Sequence, residues 1–252
     1  MKLGITLVAL MIASSSAQAQ HGYEYEVYDT DISAPHAAEV ELHTSFVPSG
    51  SQKVDTPEGR ATHRALRSSL EFSTGVTGWL EASLYAVGYA REGAGLQFVG
   101  SRARITAVAP RRWNLPAELG LSQEVGFLRP GFSEYRRAYE ITPIVAKRIG
   151  VASLVLNPAF ERGLTGDDRE WEFEPRARLT YALDGDDGIG LEYYSVLGPI
   201  DGFDARSHQI HQLFATASGE IPGGIEAGVG LGRGLTSNSD RWTITTRLEF
   251  RF

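Results

Sequence analysis

Residues 241–252 alternate without a break. Trp242, Ile244, Thr246, Leu248, Phe250 and Phe252 fall on one face, and Arg241, Thr243, Thr245, Arg247, Glu249 and Arg251 on the other. Period two marks a strand with one apolar and one polar face. The same rhythm returns in 171–183, where Trp171, Phe173, Pro175, Ala177, Leu179, Tyr181 and Leu183 oppose Glu172, Glu174, Arg176, Arg178 and Thr180. In 38–46, Val40, Leu42 and Phe46 oppose Glu39, Glu41, His43 and Ser45; in 66–76, Leu66, Leu70, Phe72 and Val76 oppose Arg67, Ser69, Glu71 and Ser73. Weaker copies run through 79–90, 96–109, 117–128, 135–148, 152–163, 188–197, 208–221 and 224–233.

These segments predict about twelve strands of roughly ten residues, the length a tilted strand needs to cross a bilayer. A charged face on nearly every strand sets the chain apart from an exported soluble β-sandwich, the competing fold. The expected architecture is all-β: one closed antiparallel transmembrane β-barrel over 37–252, its apolar face toward lipid and its charged face toward the lumen. Pro143, Pro158 and Pro175 fall inside strands, where each removes a ladder donor, so bulges or register irregularities are expected near them. The connections at 47–62 and 198–206 are the long ones expected outside the cell.

The first residues refine this. Lys2, the apolar run 3–13 and the ending Ala17-Gln18-Ala19 have the form of a secretory signal peptide over 1–19, cleaved after Ala19. Residues 20–36 are expected to form a loosely ordered N-terminal periplasmic arm. Removing 1–19 takes away one Lys and no acid, moving the formal net charge from −7 to −8. An acidic chain with scattered Arg offers no nucleic-acid surface. The absence of cysteine excludes disulfides, thiol nucleophiles and thiolate metal sites.

Candidate chemistry centres on the inward charges. Alternation turns Glu71, Arg102, Arg104, Glu172, Glu174, Arg176, Arg178, Glu192, Arg247, Glu249 and Arg251 toward the lumen. The functional expectation is a porin-like passive channel for small polar or charged molecules, its Arg and Glu setting selectivity. A salt-bridged, non-conducting barrel serving structure or adhesion is the alternative. Trp79, Trp113, Trp171 and Trp242, with Tyr135, Tyr181 and Tyr193, suit an aromatic girdle at the strand ends. No cofactor or metal site is expected: the six histidines have no paired ligand spacing. The stretch 184–188, Asp-Gly-Asp-Asp-Gly, starts like a calcium loop but has Ser195 at the twelfth position.

At the C-terminus, Phe252 with Phe250, Leu248 and Ile244 at alternating positions resembles the insertion signal read by the outer-membrane barrel-assembly machinery. The resemblance covers the last strand. It implies export, insertion by that machinery, and an outer-membrane location among lipid and lipopolysaccharide. The general strand rhythm is also similar to small channel-like barrels linked to uptake of aromatic or other small molecules. A hydrolase is the rival class: Ser207, His208 and His211 resemble nucleophile and base of outer-membrane phospholipases, and Asp167-Asp168 the rim acids of outer-membrane proteases. Adjacent strand residues point to opposite faces, so Ser207 and His208 do not meet as neighbours on a regular strand.

Overall fold

Each alternating segment forms a strand because its apolar side chains find one surface and its polar side chains the other. The computed structural model describes residues 24–51, 61–93, 95–129, 132–133, 135–165, 169–183 and 187–252. In chain order the strands are β1 (Ala38–Ser49), β2 (Ala65–Thr77), β3 (Leu80–Arg91), β4 (Gly95–Val108), β5 (Glu118–Leu128), β6 (Arg137–Ile149), β7 (Ala152–Gly163), β8 (Trp171–Ala182), β9 (Gly188–Val196), β10 (Ile210–Ile221), β11 (Ile225–Gly234) and β12 (Trp242–Arg251). Every strand pairs antiparallel with its sequence neighbours, and β1 pairs with β12, with Leu42 opposite Leu248. The sheet is therefore a closed barrel with no free edge, not a sandwich.

The outer surface is apolar. Leu66, Phe72, Leu84, Phe98, Ile105, Leu154, Leu179, Leu191, Val229, Leu231 and Ile244 are all exposed. Soluble monomers rarely present a continuous apolar patch beyond a few hundred Å², so this surface suits lipid. Trp79, Trp113, Tyr181 and Trp242 are exposed toward the two ends. Tyr135 departs from the girdle. It is buried, and its ring lies where a side chain on Gly163 would stand.

The two ends differ. The near end, which carries the start of β1 and the end of β12, has short turns at 78–79, 150–151 and 222–224, and a longer 109–117 connection holding a 3-10 turn over Arg111–Trp113. The far end carries the longer connections 50–64 and 197–209, along with a short one at 92–94.

The three strand prolines do not shift the register. They stand in one row across β6, β7 and β8: Pro158 pairs with Pro175, and the β6–β7 ladder lapses around Pro143 between Ile141↔Phe160 and Val145↔Leu156, then resumes unchanged. A missing N–H removes a rung without changing the count of residues. The irregularities fall elsewhere, at Phe46/Ser49, Gly75/Thr77 and Val87/Gly88.

Residues 24–33 correct the expectation of a loose periplasmic arm. Glu24, Val27, Tyr28 and Ser33 are buried inside the barrel. The chain enters at the near end, where Pro35 bridges Gly75 and the His36 N–H donates to the Gly75 carbonyl at 2.9 Å. A Cβ on Gly75 would lie 2.3 Å from the carbonyl oxygens of Ser33 and Ala34, so only glycine lets the segment pass there. His36, at φ 67, turns the chain from this segment into β1. Residues 1–19, the expected signal peptide, lie outside the described residues.

Candidate functional site

The barrel interior gathers the charges. Glu71, Arg102, Arg104, Glu172, Glu174, Arg176 and Glu249 are buried, Arg178, Glu192 and Arg247 are half-buried, and Arg251 is exposed at the near rim. What alternation along the chain leaves unseen is their partner, the segment 24–33.

That segment is threaded by charge and by rings. Arg102 pairs with Glu24, and donates to Glu124 Oε1 at 3.2 Å and to Ser69 Oγ at 3.0 Å. Arg104 stands 3.4 Å from Glu26 and donates to Glu71 Oε1 at 2.6 Å. The Arg104 guanidinium lies over the rings of Tyr28 at 4.4 Å and Tyr85 at 5.1 Å, which supply the negative ring faces a desolvated cation favours. Arg178 pairs with Asp29, and Arg176 pairs with Glu140. The Asn157 amide donates to the Tyr28 carbonyl at 3.0 Å, Thr30 donates to Glu118 at 2.6 Å, and the Ser33 hydroxyl and N–H both reach Glu81 at 2.8 Å.

On the opposite wall the contact is apolar. Tyr25 packs against Tyr194 and Phe214, ring centroids 5.2 and 4.8 Å away. Phe214 has room because β11 presents glycine: a Cβ on Gly232 would stand 2.3 Å from its ring. Burying an ion pair costs desolvation that its Coulomb attraction offsets only with full hydrogen bonding. The density of partners here is what keeps these charges inside.

The far half holds a buried apolar cluster among the described residues. Ala65, Val87, Tyr89, Val99, Leu128 and Phe132 form it, and the Tyr89 hydroxyl donates to the Ala61 carbonyl at 3.2 Å. Thr62 donates to Asp240, which stands 3.9 Å from Arg67. Beside the segment, on the β8 to β12 side, a cavity of about 360 Å³ is lined by Arg178, Glu192, Thr216, Glu226 and Arg247, among others. A second, of about 170 Å³, opens by Glu39, Glu81, Glu249 and Arg251. The larger is within the size range of small-molecule sites.

The register sets carboxylates side by side. Glu124, Glu140, Glu161 and Glu172 are directly opposite one another in turn across β5 to β8. Glu226, Glu249, Glu41 and Glu71 do the same across β11, β12, β1 and β2. Like charges at directly opposed positions destabilise a sheet. The second row is interleaved with His43, 3.1 Å from Glu41, and Arg251, 2.6 Å from Glu249.

The hydrolase candidates do not assemble. His211 Nδ1 shares a 2.5 Å hydrogen bond with the Tyr193 hydroxyl, and Nε2 one of 2.8 Å with Gln209. Ser207 and His208 are exposed and meet Ser237 and Asn238 through their carbonyls. Asp167 and Asp168 lie outside the described residues, as do 184–186. Ile244, Leu248 and Phe250 lie on the outer face of β12, opposite Phe46, Leu42 and Val40.

The signal for the inner segment lies in 24–28, Glu-Tyr-Glu-Val-Tyr, an acid and ring pattern complementary to the inward arginines. Glu161, like Glu124 and Glu140 beside it in the row, is placed inward by strand alternation and missing from the candidate set.

No protein-family profile and no curated protein sequence matches the chain. Solved structures do. An outer-membrane channel of Pseudomonas putida F1 is 12% identical, over 91% of this chain and 100% of that one, with a TM-score of 0.64. A membrane protein solved in a study of in-meso crystallization is 12% identical, over 86% of this chain and 84% of its own, with a TM-score of 0.51. At this identity the likeness is one of fold, and the fold is that of bacterial outer-membrane β-barrels.

Proposed function

We propose that the protein is an outer-membrane channel for small polar or charged molecules, with residues 24–33 narrowing its lumen. The observation that carries this reading is the cavity of about 360 Å³ beside the segment, lined by charged side chains of both signs. Arg178, Arg247, Glu192 and Glu226 line it and set selectivity, as rings of charged side chains do in pores. The fold it shares with the outer-membrane channel of Pseudomonas putida F1 agrees with it. In this reading the chain is cleaved after Ala19, the near end faces the periplasm, lipid and lipopolysaccharide surround the wall, and the barrel-assembly machinery reads Ile244, Leu248, Phe250 and Phe252.

The second reading, a non-conducting barrel serving structure or adhesion, is favoured by the ion pairs that fix the segment and by the apolar cluster at the far end. Single-channel recording in a planar bilayer decides between them, using the mature chain and a variant lacking 20–33. A channel gives discrete steps that grow when the segment is removed, with a reversal potential that moves in Arg178→Ala and Arg247→Ala. Silence from both proteins, shown to be folded and inserted, overturns the channel reading.

A further inference from the structure

Three arginines stand on the outer face of the barrel at its far end. Strand alternation turns Glu124, Glu140 and Glu161 inward, so Arg137 on β6, Arg162 on β7 and Arg129, just past β5, turn outward. The Arg137 guanidinium lies 5.9 Å over the Phe127 ring, and that of Arg162 5.9 Å over Trp171. Tyr139 meets Trp171 edge-on, ring centroids 6.1 Å apart. Arg129 donates to the Phe98 carbonyl at 3.1 Å. Because Arg162 is directly opposite Tyr139, it is the diagonal neighbour of Arg137, and such positions stand about 7–8 Å apart. None of the three arginines makes an ion pair among the described residues. The outward positions of β5, β6 and β7 hold no acid that could supply one.

We propose that Arg129, Arg137 and Arg162 bind the phosphate of a lipopolysaccharide headgroup. A cation on a lipid-facing wall needs an anion, and this wall offers none of its own. A guanidinium stacked on a ring keeps its N–H edge free, and that edge meets phosphate oxygens two at a time. Two stacked arginines at diagonal positions can therefore hold one phosphate between them. Toward the near end from this row, Val145, Leu154 and Leu156 are exposed and offer acyl chains an apolar bed. Phe127, Tyr139 and Trp171 fix the depth, as an interfacial aromatic girdle does. The identity of the lipid rests on the orientation proposed above, with the far end outside the cell. The site itself does not depend on whether the lumen conducts.

The test is native mass spectrometry of mature protein refolded from inclusion bodies, free of lipopolysaccharide, and titrated in detergent with diphosphorylated lipid A. Wild type is expected to hold one lipid A, more tightly than it holds phosphatidylglycerol. The double variant Arg137→Gln, Arg162→Gln, checked for folding by its heat-modifiable mobility, is expected to bind lipid A about tenfold more weakly. Dephosphorylated lipid A gives a similar loss on wild type, with no substitution involved. Lys147→Gln, an outward cation at the near end of β6, keeps full binding. Unchanged binding by the folded double variant overturns the site, as does equal binding of the dephosphorylated lipid. Phosphatidylglycerol held as tightly as lipid A overturns the choice of lipid. Orientation is read separately: Asp201→Cys, on the 197–209 connection, is expected to react with a membrane-impermeant maleimide on intact cells. No reaction there overturns the orientation, and lipopolysaccharide as the ligand falls with it even where lipid A binds in detergent.

Discussion

Arg102 on β4 and Glu24 form a buried ion pair between residues 78 positions apart, joining the barrel wall to the segment inside it. The same guanidinium serves Glu124, so Arg102→Ala takes one cation from two buried carboxylates at once. Breaking a buried pair by removing one partner costs about 3–5 kcal/mol. That loss is expected in guanidinium unfolding of the protein in phospholipid vesicles, with a smaller one for Glu24→Gln, which keeps a hydrogen-bonding side chain. A loss below about 1 kcal/mol for Arg102→Ala, the level of an exposed pair, would mean that water reaches the pair.

Gly75 sets where the segment enters. Gly75→Ala drives a methyl group into the Ser33 and Ala34 carbonyls, 2.3 Å away, so the segment must shift, while β2 itself tolerates alanine. Because the chain has no cysteine, Ser33→Cys provides a unique label. In the Gly75→Ala background that thiol is expected to react with a membrane-impermeant maleimide several-fold faster than with Gly75 intact. Equal rates would show that the segment is held by its ion pairs alone.

The barrel wall was legible because alternation is local: each strand carries its own evidence for two faces. The register across Pro143, Pro158 and Pro175 was not, because a proline announces a lost donor without saying whether the residue count changes. The inner segment was hidden for a different reason. Glu24, Glu26 and Asp29 carry charge with no lysine or arginine near them in the chain, and the arginines that hold them lie 78 positions or more away. Tyr135 read as exterior because nothing nearby in the chain indicates that Gly163 makes room for its ring. The glutamate row needs the register of four strands before it exists at all, so ligand spacing along the chain carries no trace of it.

Phe214 is the apolar counterpart of the arginine anchors, fully buried between Tyr25, Tyr194 and the glycine face of β11. Phe214→Ala opens a cavity and is expected to cost about 3–5 kcal/mol. Gly232→Ala overpacks the same place at about 1–3 kcal/mol. The two together are expected to cost less than their sum, since the new methyl group enters space the ring has left, and residues in contact are non-additive. Vesicle unfolding of all four proteins checks this. Strict additivity would mean that the ring and the glycine do not share one space.

Phe252 separates two roles in one residue. Its N–H donates to the Ala38 carbonyl at 2.9 Å, closing the last rung of the β1–β12 seam, while the residue is 79% exposed. Phe252→Ser keeps the rung and removes the ring. The lost ring contact with lipid costs no more than burial of one Phe, about 1.5–3 kcal/mol, so the refolded protein is expected to stay folded. If the ring belongs to the insertion signal, the same variant accumulates several-fold less heat-modifiable, assembled barrel in the outer membrane of living cells. Loss of both assembly and refolded stability would place the effect at the seam. Loss of neither would remove Phe252 from the signal and leave Ile244, Leu248 and Phe250 to carry it.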